Sequence, residues 1–261
     1  MKAYAKLNLS LKIVGRREDG YHLLESEMVK IDLCDEVKIV LSPSETAEVE
    51  LVCSDKTLPA DRRNTAVKAA FGYMDAAGIG CKAEINIQKN IPSGAGLGGA
   101  SADAAAVLLA MEEKYAALGR ERLTALAARI GADVPFALYG LHARVEGIGE
   151  KLTELPPERV GIVLCKPSRS LSTAEVFASY DLDPCECGDN DLYPAALSLC
   201  PELSDIAEAM ESLGLRACMS GSGSTMFALS KDPEADSSEL KRLCTDCFVR
   251  PVHTLDEILW V

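Results

Sequence analysis

One run constrains this chain more than any other: IPSGAGLGGASADAAAVL at 91–108. Before it, residues 83–88 alternate, with Ala83, Ile85 and Ile87 opposed to Glu84, Asn86 and Gln88. Glycines then occupy 94, 96, 98 and 99, and an alanine-rich helical pattern follows. Glycine takes positive φ at little steric cost and lets the backbone approach a ligand. Where such a loop enters a helix, unpaired N–H groups and the positive end of the dipole make an anion site. The pattern predicts a strand, then a phosphate-binding loop of Pro92, Ser93, Gly94, Ala95, Gly96, Leu97, Gly98, Gly99, Ala100 and Ser101. A helix is predicted from near Ser101, burying Ala104, Val107, Leu108, Met111, Tyr115 and Leu118 on one face. Ser101 can cap this helix or place its hydroxyl on a phosphate, and Lys89 can add positive charge. A ligand-free strand-to-helix turn needs fewer glycines.

Gly94, Gly96 and Gly99 also satisfy G-x-G-x-x-G. A dinucleotide fold needs an acidic ribose ligand roughly 20 residues on, at the end of the next strand. Here Glu112 and Glu113 fall inside the same predicted helix. No G-x-x-x-x-G-K-[ST] run occurs, and the protein-kinase signatures are missing.

The formal net charge of −13 argues against nucleic-acid and anionic-membrane partners, which need clustered lysine and arginine. A small molecule is the expected partner, and the chain is expected to be a monomer or weak homodimer. Ten cysteines are scattered along 261 residues, several inside apolar strand-like runs where a thiol acts as a small hydrophobe. The start MKAYAKLNLSLKIV alternates instead of running apolar, and no stretch approaches the ~18 apolar residues of a membrane span. A cytoplasmic location is expected. No metal site is expected either: CTDC at 244–247 resembles half a zinc site without a second pair, and His22, His142 and His253 lie far apart.

Alternation and apolar runs predict strands at 4–14, 28–33, 36–41, 48–53, 83–88, 160–165, 216–219, 225–229 and 248–254. Helical patterns follow Asn64 and cover 120–130, 173–180, 202–213 and 237–247. A turn built on Gly15 and Gly20 joins the first two strands. The polar, Gly/Pro-rich stretch 143–157 reads as a boundary between domains 1–153 and 154–261, and the acidic patch 185–191 as a mobile loop. Strands and helices mixed in both halves indicate an α+β class.

Three further segments stand out. In AKLNLSLKI, Lys6 and Asn8 fall on the face opposite Leu7 and Leu9; alone, such a lysine is a solvated face residue. In IGADVPFALYG, Asp133 alone reads as an N-cap with Pro135 early in a helix. In MSGSGSTMFAL, the loop around Gly221 and Gly223 could be a hairpin turn.

Taken together and in order, AKLNLSLKIVGRREDGYH, IPSGAGLGGASADAAAVL, GADVPFALYG, EGIGE and MSGSGSTMFA resemble the GHMP kinases. AKLNL, GYH and GADVP resemble the branch whose acceptor is a cytidine-diphosphate alcohol. The resemblance implies a two-domain fold, the first domain like one found in ribosomal proteins and the second ferredoxin-like. It implies ATP with Mg²⁺ and transfer of a phosphoryl group to a 2-hydroxyl of the acceptor in non-mevalonate isoprenoid synthesis. Asp133 would be the base and Lys6 its charged neighbour; Asn64 would contact the adenine end of ATP. Asn8, Tyr21 and His22 would recognise cytidine, with Tyr21 and Phe177 stacking on the base and Met28 where an aromatic often closes the pocket. Gly221 and Ser222 would hold substrate near the phosphates. Ala102 stands where a serine is common. The alternatives are a GHMP kinase for homoserine or mevalonate, which have no base to stack, and a sensor of the same fold, which needs no catalytic pair.

Overall fold

The computed structural model describes residues 1–18 and 20–257. Strand β1 (Lys2–Arg16) runs antiparallel to β2 (His22–Pro43), the turn between them passing Gly20 at φ +90°. The sequence pattern predicts two strands at 28–33 and 36–41, but the structure has one. The hydrophilic break at Cys34-Asp35 does not end the strand, because Asp35 is fully buried and accepts the N–H groups of Asn90 and Ile91 at 2.6 and 2.8 Å. Length gives β2 several partners. Its second half pairs with β4 (Cys81–Gln88), which pairs in parallel with β3 (Ala47–Cys53). Its first half also pairs with β5 (His142–Gly147), and β5 with β6 (Lys151–Glu154). The polar stretch at 143–157 is therefore largely a hairpin of this first sheet.

Helices α1 (Thr65–Ala77), α2 (Gly99–Tyr115), α3 (Gly119–Ile130) and α4 (Val134–Tyr139) contribute to one core with this sheet. Asn64 caps α1 by accepting the Ala66 N–H, and Gly78 at φ +66° closes it. Four alanines, 102 and 104–106, are buried along α2, and small side chains bring its backbone close to its neighbours. This helix begins two residues before Ser101 and stops at Tyr115. Leu118 precedes α3 and is not part of the α2 face.

The second sheet runs β10–β7–β9–β8, all antiparallel: β7 (Gly161–Lys166), β8 (Cys218–Met219), β9 (Met226–Leu229) and β10 (Phe248–His253). Helices α5 (Thr173–Leu182), α6 (Tyr193–Leu199), α7 (Glu202–Ser212) and α8 (Pro233–Leu243) share its other core. The short α6 carries no clear periodicity, and no sequence signal announces it. α8 starts four residues early because Asp232 accepts the Ala235 N–H and Pro233 follows it.

A third cluster joins the sheets. Leu7, Val29 and Ile31 of the first meet Ile162, Leu164 and Phe227 of the second, and Ala95 and Leu97 insert between them. The glycine-rich loop is thus anchored in the inter-sheet core. The acidic patch is also held, against the expectation of mobility. Asp191, 1% exposed, accepts from Lys12 Nζ at 2.8 Å and from the N–H groups of Ile13 and Cys187. Asn190 donates to the carbonyls of Met219 and Gly221, both at 2.8 Å.

Candidate active site

A cleft of about 490 Å³ lies along the junction of the two sheets, lined by the whole of 91–101 together with Lys6, Asn8, Asn64, Asp133, Phe177, Gly221 and Ser222. Its floor is the glycine-rich loop. The loop's carbonyls are taken up by the protein: Ser93 O accepts from Ser170 Oγ, Gly94 O from Leu171 N–H and Ala95 O from Thr225 N–H. Gly96 O accepts from Ser220 Oγ and Leu97 O from Lys6 N–H. Among the described residues, no N–H from Ser93 to Ser101 donates to the protein. Peptide planes whose carbonyls face outward turn their N–H groups to the cleft, and the α2 N-terminus adds its dipole; this is an anion nest.

Gly94, Gly96 and Gly98 supply the positive φ values, +61°, +73° and +69°. All three also meet protein, a Cβ on Gly94 lying 2.8 Å from Ser170 Cβ. A Cβ on Gly96 would lie 2.2 Å from Ser220 O, and one on Gly98 2.9 Å from Lys6 Cγ. These glycines therefore let the loop press against the second glycine loop and the β1 lysine, a role that the loop sequence alone does not disclose. Ser101, in the first turn of α2, is not its cap; that position belongs to Gly98. Ala102 is buried in the α1–α2 core, so a serine there would point away from phosphate.

Lys6 is 7% exposed, contrary to the solvated-face reading. Its Nζ donates to Asn8 Oδ1 at 2.5 Å and lies 3.5 Å from Asp133 Oδ2. Asn8 is fixed in turn, donating from Nδ2 to Ser26 Oγ at 2.7 Å and from its N–H to Ser220 Oγ at 3.1 Å. Register shifts in the β1–β2 pairing bracket both residues, between Tyr4 and Lys6 and between Asn8 and Ser10. Asp133 occupies the N-cap position of α4, yet its side chain makes no capping bond. Pro135, two residues on, has no N–H to offer it. The carboxylate is left facing Lys6, with 37% of the side chain exposed. The second glycine loop closes this corner: a Cβ on Gly221 would sit 3.2 Å from Lys6 Nζ. A cation, a carboxylate and an anion nest thus converge in one cleft.

Residues 64–141 match the family described as GHMP kinases N terminal domain, and residues 184–248 the GHMP kinases C terminal family. The chain belongs to the GHMP kinases. Two relatives named 4-diphosphocytidyl-2-C-methyl-D-erythritol kinase place it on that branch. One, from Polaromonas naphthalenivorans, is 40% identical over 87% of this chain and 84% of its own. The other, from Clostridium beijerinckii, is 38% identical over 95% and 98%. A crystal structure of 4-(cytidine 5'-diphospho)-2C-methyl-D-erythritol kinase superposes with a TM-score of 0.79, at 34% identity, over 97% of this chain and 98% of the other. The two-domain α+β GHMP fold is that of this chain too, and no helix among the described residues is long and apolar enough to cross a membrane.

In this GHMP kinase part of the cleft wall is apolar. Phe177 and Met28 line it, Met28 packing on Phe136, Ala143 and Val145. His22 and Tyr21 do not line it. The His22 ring stacks on Phe177 with centroids 4.8 Å apart at 24°, meets Tyr180 edge-on, and places Nε2 2.7 Å from Asp181 Oδ1. That stack covers one face of Phe177 and leaves no ring-wide gap beside it. Tyr21, 62% exposed, lies outside the cleft lining, so a base held between Tyr21 and Phe177 is not the arrangement seen here.

Lys89 and Asn64 are engaged by the protein. The Lys89 ammonium sits between Asp35 and Asp103, bonded to Asp35 Oδ2 and, at 2.7 Å, to Asp103 Oδ2. Burial pulls its pKa down, but the two carboxylates outweigh that and hold it above the ordinary value. Burial pushes the Asp103 carboxyl up against the pull of Lys89, Asp35 adding to the rise. Asp103 Oδ1 has no hydrogen-bond partner. Lys89 thus lines the cleft while its ammonium is tied to Asp103 of α2. Asn64 lines the cleft while its amide caps α1 and donates to Pro59 O. Sequence reasoning missed Ser220, Asn190 and Asp35, whose importance lies in contacts with residues far along the chain.

Proposed function

We propose that this protein transfers the γ-phosphoryl group of ATP to the 2-hydroxyl of 4-diphosphocytidyl-2-C-methyl-D-erythritol, giving the 2-phosphate and ADP. The observation that carries the reading is Asp133, freed from capping and facing Lys6 across a loop whose N–H groups are turned to the cleft. Phosphoryl transfer needs chiefly positioning and charge stabilisation. The loop N–H groups hold the phosphates. Asp133 accepts the proton of the attacking hydroxyl, and Lys6, held by Asn8, stabilises charge on the transferring group. Gly221 and Ser222 close the cleft above Lys6, and Phe177 receives the face of the cytosine ring, with the buried Met28 packed in the wall behind it. His22 keeps Phe177 oriented.

The oxygen donors suit Mg²⁺. Ser101, in the first turn of α2, lines the cleft and would hold the ion through its hydroxyl beside the substrate phosphates, leaving Asp133 free to accept the proton. Mg²⁺ takes one or two such protein ligands alongside substrate phosphates and, when bound, neutralises phosphate charge.

ADP release measured with the cytidine-diphosphate substrate, its uridine analogue, free methylerythritol 4-phosphate, homoserine and mevalonate tests the reading. The first should be used best. Higher kcat/KM for any other acceptor overturns the assignment of substrate.

A further inference from the structure

The CTDC segment acquires a third sulfur through the fold. Cys244 follows the last residue of α8 and donates its N–H to Leu240 O at 2.7 Å. The chain then turns, the Cys247 N–H reaching Cys244 O at 3.2 Å, and β10 begins at Phe248. β10 runs antiparallel to β7 with Val249 opposite Cys165. That pairing sets Cys165 beneath the turn, on the face of the sheet that carries the helices. The three Sγ atoms all lie within 4.8 Å of one another. Cys165 is fully buried, and Cys244 and Cys247 are half-buried. None of them lines the cleft.

We propose that Cys165, Cys244 and Cys247 form a binding site for Zn²⁺, separate from the kinase centre. Zinc–thiolate bonds of about 2.3 Å place sulfurs in a tetrahedral site roughly 3.8 Å apart, so small side-chain rotations suffice here. Binding replaces three thiol protons, which leave to solvent, and transfers no electrons. Three protein ligands leave a fourth position, which opens on the half-buried side to water. Thiolates select a soft or borderline cation and reject Mg²⁺, so the ion that accompanies ATP does not compete. Bound zinc would clamp the α8–β10 turn to β7. β7 leads through Lys166 to Ser170, the residue that holds Ser93 O at 2.9 Å.

The test uses the full chain, reduced with a phosphine, stripped by a chelator and titrated anaerobically with Co²⁺. One equivalent should give a sulfur-to-cobalt charge-transfer band and the intense ligand-field bands of a tetrahedral site, both abolished by one equivalent of Zn²⁺. Zinc at a hundredfold excess over its Kd should raise the thermal midpoint by roughly 5–10 °C. Cys244→Ser and Cys247→Ser, at the protein's edge, should each weaken Co²⁺ binding by more than the roughly 10–100-fold that loss of an outer-shell partner costs. Cys185→Ser, outside the cluster, should leave it unchanged. The proposal is overturned if no thiolate band appears. It is equally overturned if binding survives Cys247→Ser but not Cys185→Ser, or if Cys244 and Cys247 are isolated as a disulfide that takes no metal after reduction.

Discussion

Lys89→Met should destabilise the fold while leaving the KM for ATP within about threefold, because the lysine serves two carboxylates instead of a phosphate. Its side chain is 8% exposed, Asp35 is 0% and Asp103 6% exposed. Removing one partner of a buried ion pair costs about 3–5 kcal/mol. Asp103, already pushed up by burial, can take a proton, which sets the expected loss near the lower end, about 3 kcal/mol at pH 7. For a chain of this length that corresponds to a fall of roughly 6–12 °C in the thermal midpoint. The pH dependence has a definite sign. A carboxyl whose folded pKa is raised contributes stability that is full below its unfolded value, near 3.9, and is lost as pH rises through the folded value. Without Lys89 the Asp103 carboxyl moves higher still, so the deficit should be small at pH 5 and grow toward pH 8. Lys89→Met with Asp103→Leu should recover more than half of it. Thermal melts at pH 5, 7 and 8, beside ATP titrations, decide the matter. An unchanged midpoint with a tenfold rise in the KM for ATP would refute the buried-triad account and return Lys89 to the phosphates.

Asp133→Asn should lower kcat by about 10²–10⁴-fold, with ATP affinity by calorimetry and the thermal midpoint nearly unchanged, since this carboxylate caps nothing; a midpoint falling with kcat would mark a structural role. Gly96→Ala places a Cβ 2.2 Å from Ser220 O at a φ of +73°, so the two glycine loops must part by about 1 Å, and kcat/KM should fall on the order of a hundredfold; a variant with normal turnover would show that the loops do not act together. Phe177→Ala should raise the KM of the cytidine substrate about tenfold and leave that of ATP alone. Because His22 stacks on Phe177, His22→Ala should add little in the Phe177→Ala background, whereas additive losses would mean that His22 touches the base independently.

Elements governed by near neighbours are legible in the sequence. The glycine run, the Asn64 cap, the Gly78 stop and the alternation of β1 and β4 are short-range constraints on φ, ψ and burial, so their own residues locate the strand–loop–helix unit. Where local signals compete with distant contacts, the sequence misleads. Cys34-Asp35 looks like a strand break because a buried aspartate is costly alone; Asn90 and Ile91, some 55 residues on, satisfy it. The patch at 185–191 looks mobile because its charges suggest solvent, yet Lys12, Leu11 and Met219 hold it.

The chemistry requires four distant pieces. Lys6, the 94–99 loop, Asp133 and Gly221 come from separate elements, and only the packed tertiary fold brings Lys6 Nζ to 3.5 Å from the Asp133 carboxylate. Sequence by itself determined which groups were available: an anion loop, a strand lysine, an aspartate before Val-Pro and a pair of cysteines. Tertiary structure decided what each would face. It paired Lys89, at the cleft wall, with Asp35 and Asp103, laid His22 on Phe177, and brought Cys165 beneath Cys244 and Cys247. Backbone preferences act over a few residues, whereas the partner of a charge or a thiol is set by which faces of two sheets are buried together.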